Sequence, residues 1–341
     1  MDIAVVGAGP AGAGVCYALR DTDATVTVFE KSRGVCGRAA TRRNDDRRYD
    51  HGANYVKSGR DRVDEIITEG LPTDGLVDIE EPVWTFDESG TITEGDDRDD
   101  HKWTYEEGIT QIAKRLFAET EATVRLETRV GRLSHNGGKW WVLDEDGGDL
   151  GTYDAVVLTP PAPQTADILA ATEWADSLLV ELEAALESVS YRSIYSVILG
   201  YPFEIETSWY GLVNTDRGHA IGWLSREELK DGHVPDGESL LVVQMSPDWT
   251  VDRFGDPKSA AIDDAASLVA DLLDDERLAD PDWTDTQRWR YALPNESVDA
   301  DLLRKSEDDG LYFAGDWVVG DGRVHLALEN GLDVGERIPT E

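Results

Sequence analysis

The chain opens on a short apolar run, Asp2 to Val6, that stops at Gly7. Ala11 to Arg20 carries apolar residues at helical spacing, and Thr25 to Phe29 reads as a second strand. Strand, turn, helix, strand predicts a βαβ start. From 60 to 104 the sequence is acidic and broken by Gly and Pro, with β-like pieces at Val83–Phe86 and Thr91–Thr93. The pattern then predicts a helix over Tyr105–Ala118, a strand over Val124–Leu133, and a hairpin and buried strand from Lys139–Leu143 and Tyr153–Leu158. An acidic helix near Trp174–Glu187 precedes strand candidates at Ser190–Gly200, Gly222–Leu224, Ser239–Met245 and Gln287–Tyr291. The end reads as a strand over Leu311–Ala314 and a helix from Val324 to Ile338.

Length and charge narrow this picture. A chain of 341 residues can bury two cores. It carries 70 acidic residues against 32 basic ones, only eight of them lysine, for a net charge of -38. That is the profile expected of a cytoplasmic protein from a high-salt cell, in which hydrated carboxylates maintain solubility and salt screens their repulsion. The same charge argues against nucleic acid or an anionic membrane as partner, since both call for a basic face. Two cysteines, Cys16 and Cys36, are too few for a disulfide framework and fit a reducing compartment. No apolar run is long enough to span a bilayer. The six histidines and two cysteines form no metal-spaced cluster.

Gly7-Ala8-Gly9-Pro10-Ala11-Gly12 matches G-x-G-x-x-G between a predicted strand and a predicted helix. Gly7 makes the turn, Gly9 admits a pyrophosphate, and Gly12 lets the helix approach the sheet. Glu30, 23 residues after Gly7, can accept from an adenosine ribose and disfavours a 2′-phosphate. Such a fingerprint does not separate FAD from NAD. Lys31 to Thr41 contains Gly37 and Arg38, and a fixed guanidinium makes charge-assisted bonds to phosphate. Six arginines fall between 33 and 48 (Arg33, Arg38, Arg42, Arg43, Arg47 and Arg48). For most of them, pairing with Asp45, Asp46 and Asp50 is the plainer expectation. Gly315-Asp316 follows the last strand, where Asp316 could bond a ribityl chain and the helix from Val324 could aim its N-terminus at a flavin.

In order and in residues, these motifs resemble the renalase-like branch of the FAD-dependent amine oxidase superfamily. Asp50-His51-Gly52-Ala53-Asn54-Tyr55, Leu158 to Gln164, Val189-Ser190-Tyr191 and Arg288-Trp289-Arg290-Tyr291 extend the resemblance along the chain. It departs at Cys36, where the family's second flavin motif has the first glycine of a pair. A positive φ there would strain a cysteine.

The resemblance implies an α/β fold, with a Rossmann-like FAD-binding domain of discontinuous segments plus an α+β substrate domain with a mixed sheet. Segments 1–58, 105–170 and 295–341 are expected in the first, and 59–104 and 171–294 in the second. It implies noncovalent FAD, with Gly52 and Ala53 near the isoalloxazine, Asn54 among the cofactor contacts and the Val130 backbone at the adenine. It further implies an oxidase in which a substrate hydride passes to flavin N5 and then to O2. Dihydronicotinamide compounds of the NAD(P)H type are the expected substrates. A small amine held in an aromatic cage, or a flavin protein without turnover, are the alternatives. Candidate contacts for a small-molecule substrate are His51, Tyr55, Tyr191 and Arg290; for Arg290 a buried ion pair is the competing role.

The charge balance makes the first prediction. The melting temperature falls, or the flavin is released, when KCl is lowered from molar to millimolar; an unchanged melting curve refutes salt-dependent folding.

Overall fold

The computed structural model describes residues 1–95 and 100–340. Its first sheet is parallel and five-stranded, in the order Thr123–Arg125, Thr25–Phe29 (β2), Asp2–Val6 (β1), Ala155–Leu158 and Leu311–Phe313. The βαβ start forms as the apolar pattern predicts, with the helix α1 at Pro10–Ala18. Strand residues alternate between two cores: Ile3, Val5 and Val28 face one, and Ala4, Val6 and Phe29 face the other. Burial on both faces is why these strands are apolar throughout. One face is covered by α1 and the last helix, Val324–Arg337. The other is covered by Ala162–Ala170, Leu178–Glu187 and a three-stranded antiparallel sheet over residues 130–153.

The second large layer is a seven-stranded sheet, ordered Trp283–Pro294, Tyr191–Tyr201, Ser239–Met245, Ile221–Arg226, Gly211–Asn214, Val83–Phe86, Ile92–Thr93. All its pairings are antiparallel except that of Gly211–Asn214 with Val83–Phe86, so it is mixed. Its back is closed by Lys258–Leu273 and Pro247–Arg253. The stretch 59–104 divides between the two layers. Val63, Ile66, Ile67, Leu71 and Trp103 pack in the core around α1, whereas 83–93 pairs into the seven-stranded sheet.

Three local expectations are corrected. Tyr105–Ala118 is not one helix: Lys102–Tyr105 is a strand paired with Val56–Lys57 and Leu76–Asp78, Gly108 turns the chain at φ +88°, and the helix occupies Gln111–Ala118. Val124–Leu133 is two strands, because Glu127 at φ +52° breaks it and sends Val130–Asn136 into the three-stranded sheet. The helix Lys258–Leu273 was not foreseen; its buried face is largely alanine (Ala261, Ala265, Ala266, Ala270), interrupted by aspartates, and gives a weak periodic signal.

The two ends of the chain meet where α1 packs on the last helix. A Cβ on Gly331 would lie 2.1 Å from Ala11 O, and one on Gly14 would lie 2.6 Å from Leu328 O, so backbone touches backbone. Gly331→Ala therefore loses more from overpacking, about 1–3 kcal/mol, than the ~1 kcal/mol of helix propensity it gains. A lower melting temperature in high salt is expected, and an unchanged or higher one refutes the close contact.

Candidate active site

Between the two large layers lies a cleft of about 2060 Å³. That exceeds the roughly 300–1,000 Å³ of an ordinary small-molecule site and leaves room for a dinucleotide with a second ligand. Gly7, Gly9, Pro10, Ala11, Glu30, Lys31, Gly37 and Arg38 line it from the N-terminal motifs. His51, Gly52, Ala53, Asn54, Tyr55, Val130, Arg290, Gly315, Asp316 and Val324 line it as well. Gly12 and Tyr191 do not. A Cβ on Gly12 would lie 2.1 Å from Gly7 O, so this glycine permits helix and turn to touch. The Tyr191 hydroxyl accepts from Ala162 N at 3.0 Å, and its ring packs edge-on to Tyr291.

The cleft's chemistry suits a dinucleotide. A Cβ on Gly9 would meet nothing within 4 Å, so it would project into open space just where α1 begins. The α1 N-terminus and the start of Val324–Arg337 both border the cleft, and helix N-termini favour anions. Gly52 is obligatory on packing grounds, its Cβ position lying 2.0 Å from Arg38 O. Both oxygens of Glu30 accept from backbone amides, Ala8 N at 2.9 Å and Ser32 N at 2.8 Å, which fixes the carboxylate at the end of β2.

Arg38 and Asp316 are joined directly. Nη1 and Nη2 of Arg38 each donate to one Asp316 oxygen at 2.8 Å, and Nη1 also donates to Ala292 O at 3.0 Å. Burial opposes the Arg38 charge, but Asp316 outweighs it and holds the guanidinium above its ordinary range. At Cys36 the backbone is left-handed, φ +80°, as the missing glycine warned. The cysteine is fully buried, its N–H donating to Ala8 O at 2.8 Å. Burial pushes both thiols up to about 12, and neither cysteine lines the cleft.

The His51–Tyr55 loop is carried on a buried ionic network. Lys230 Nζ donates to Asp50 Oδ2 at 2.9 Å and to Asn54 O at 2.8 Å, and pairs with Glu227 Oε1 at 2.7 Å. His233 Nδ1 faces Glu227 Oε2 at 2.9 Å and its Nε2 faces Tyr105 O at 3.0 Å. Burial would raise the Asp50 carboxyl, yet Lys230 and His233 outweigh it and hold it below the usual range. Asp50, Glu227 and His233 converge like metal ligands, but the Lys230 ammonium pairs with both carboxylates, so the protein supplies its own cation there. Glu227, Lys230 and His233 escaped the sequence reading because no motif marks them; their spacing in an acidic turn looks like surface. Above this network, His51 packs on Trp289, with ring centroids 5.3 Å apart. Burial and then Arg42 bring its imidazole down to about 4, leaving a neutral ring at the cleft wall.

The arginines of the run pair with carboxylates remote in sequence and, among the described residues, not with the expected Asp45, Asp46 or Asp50. Arg42 binds Asp285 at 2.7 Å, Arg43 and Arg48 share Glu107, and Arg47 binds Glu238 at 2.6 Å. Arg290 is exposed at the cleft and stacks on Phe254, with no ion pair among the described residues. The cleft lining as a whole is cationic. Lys31, Arg33, Arg38, Arg42, Arg43, Lys57, Lys114, Arg129, Arg132, Arg192, Arg217, Arg288, Arg290 and Arg323 face it. Glu30, Glu107, Asp144, Glu145, Asp146, Asp167 and Asp316 are the acidic members of the same lining. Among the described residues, fourteen basic side chains thus meet seven acidic ones in the lining, the reverse of the chain's overall balance of 32 to 70.

Comparison with known proteins agrees with this geometry. Residues 78–339 match the model of the flavin containing amine oxidoreductases, and residues 5–69 match an NAD(P)-binding Rossmann-like domain. Mouse (Mus musculus) renalase is 27% identical over 213 residues; the match covers 58% of this chain and 58% of that protein, which is less than two thirds of its length. Putrescine oxidase bound to putrescine superposes with a TM-score of 0.76 at 14% identity, covering 98% of both chains. Reduced UDP-galactopyranose mutase gives 0.77 at 11% identity, covering 99% of this chain and 93% of its own. Likenesses at such identities speak for the fold. The family match, which spans most of the chain and meets the cofactor motifs around one cleft, establishes that this protein belongs to the flavin-containing amine oxidoreductase family.

Proposed function

We propose that this protein is an FAD-dependent oxidase of dihydronicotinamide compounds. The observation that carries the reading is the cationic lining of the cleft in a protein of net charge -38. A positive field in a low-dielectric cleft concentrates anions and repels the ammonium form of an amine. Phosphorylated nicotinamides fit that field.

FAD, when bound, supplies the acceptor for a substrate hydride and the route to O2. The chain's own residues do the rest. Gly9 and the α1 N-terminus receive the pyrophosphate, and Glu30, already fixed by two amides, stands at the ribose. The Arg38–Asp316 pair holds the strand end from which the last helix starts. Gly52 and Ala53 offer a flat surface with Gln244 Nε2 donating to Gly52 O at 2.5 Å, which ties that loop to the seven-stranded sheet. His51, neutral and packed on Trp289, excludes water without contributing charge. Tyr55 and Trp223, tilted at 48° with centroids 6.3 Å apart, provide an aromatic wall for a planar ring.

Two experiments test the reading. In molar KCl, anaerobic dihydronicotinamide mononucleotide is expected to bleach the flavin band, with peroxide formed on admitting oxygen, while putrescine and other small amines leave it yellow. Bleaching by amines alone overturns the proposal in favour of an amine oxidase. Gly9→Val is expected to keep its melting temperature as apoprotein, since its side chain meets no neighbour, yet to lose at least 10-fold in FAD affinity; undiminished affinity refutes Gly9 as the cofactor cradle.

A further inference from the structure

The cleft holds a second group of cations that the cofactor motifs do not use. Arg192 lies on the strand Tyr191–Tyr201, Arg217 in the turn between Gly211–Asn214 and Ile221–Arg226, and Arg323 directly before the helix Val324–Arg337. These segments are remote in sequence, and all three arginines line the same cleft.

Their bonding is incomplete. Arg192 Nε is buried and has no hydrogen-bond partner among the described residues. No carboxylate lies within ion-pairing distance of Arg192 or Arg217 among the described residues, whereas Arg323 has a loose contact, 3.6 Å, with Asp321. Arg217 holds a left-handed backbone at φ +60°, a conformation costly to a long side chain and concentrated at functional sites. The Arg192 charge is disfavoured first by burial and then by Arg217 and Arg323, with Asp321 opposing. On the same lining, Trp223 Nε1 is another buried donor without an acceptor among the described residues. Three guanidinium groups gathered against one carboxylate, with orphaned donors beside them, form a site that lacks an anion.

We propose that Arg192, Arg217 and Arg323 form an anion subsite, distinct from the cofactor's pyrophosphate cradle, that binds the phosphate of the substrate. The proposal rests on the dihydronicotinamide reading and narrows it to phosphorylated forms, so the nucleotide is preferred over its nucleoside. The Tyr55–Trp223 wall then receives the ring while the arginines take the phosphate. The enzyme's selectivity therefore comes from the group that does not react.

The test has two arms on the FAD-loaded protein, in which the cofactor already fills its own phosphate site. Calorimetric titration with inorganic pyrophosphate in molar KCl reads the subsite without turnover. Arg192→Gln and Arg217→Gln are each expected to weaken binding roughly 10- to 100-fold, as loss of a charge-assisted bond does. Arg192→Lys is expected to recover part of the loss, and Arg304→Gln, an arginine outside the cleft, to bind as the parent does. The second arm compares KM for dihydronicotinamide mononucleotide and the corresponding nucleoside, and the preference for the nucleotide is expected to collapse in the same variants. Absent pyrophosphate binding, or equal binding by all variants with intact flavin spectra and melting curves, overturns the subsite. If pyrophosphate binds as expected but no dihydronicotinamide bleaches the flavin, the subsite stands and the proposed substrate falls.

Discussion

The structure depends on one ion pair that closes the chain on itself. Arg38 follows the second strand and Asp316 follows the last, 278 residues apart, and they meet in a bidentate pair whose carboxylate is almost wholly buried. A buried carboxylate is costly unless its oxygens are satisfied, and the guanidinium fork satisfies both. Holding this pair requires the fifth strand of the parallel sheet beside Ala155–Leu158 and the last helix against α1. The cofactor end of the cleft is therefore formed only when the final residues have docked onto the first. The glycines at the α1 contact serve the same closure, since any side chain at Gly331 would push the helices apart.

A second constraint is electrostatic. A chain of net charge -38 would repel every anion it meets unless its cations were gathered where an anion is wanted. The fold does that gathering from strands, turns and helix starts throughout the sequence. It also divides the arginines into two kinds. Arg42, Arg43, Arg47 and Arg48 are paired with carboxylates from other segments and act as ties between layers. Among the described residues, Arg192 and Arg217 have no such partner, which in the proposed subsite leaves them for a ligand.

The fold does not choose the chemistry. Structures as different in activity as an amine oxidase and a sugar mutase share it at 14% and 11% identity. In this protein the wall of the seven-stranded sheet opposite the flavin motifs presents Arg192, Trp223 and Gln244 to the cleft. The His51–Tyr55 loop beneath is set by the buried Asp50–Lys230–Glu227–His233 network, which spends two ion pairs on positioning without reaching the cleft.

The sequence by itself determined the βαβ unit, the dinucleotide fingerprint and the family, because these rest on local rules: strand periodicity, glycines a turn cannot do without, an acid at fixed spacing. Even the strained Cys36 was legible, since one missing glycine predicts one positive φ. It left unread the helix Lys258–Leu273, whose alanine face is apolar only in context, and the Lys230 cluster, whose charges look like surface until their partners arrive from residue 50. Tertiary structure alone decided which arginines are paired and which are free. A cation's role depends on the carboxylates that reach it, and for Arg38, Arg42, Arg43 and Arg47 those come from positions 64 to 278 residues away; that pairing is a property of the folded chain, as is the proposed anion site left over from it.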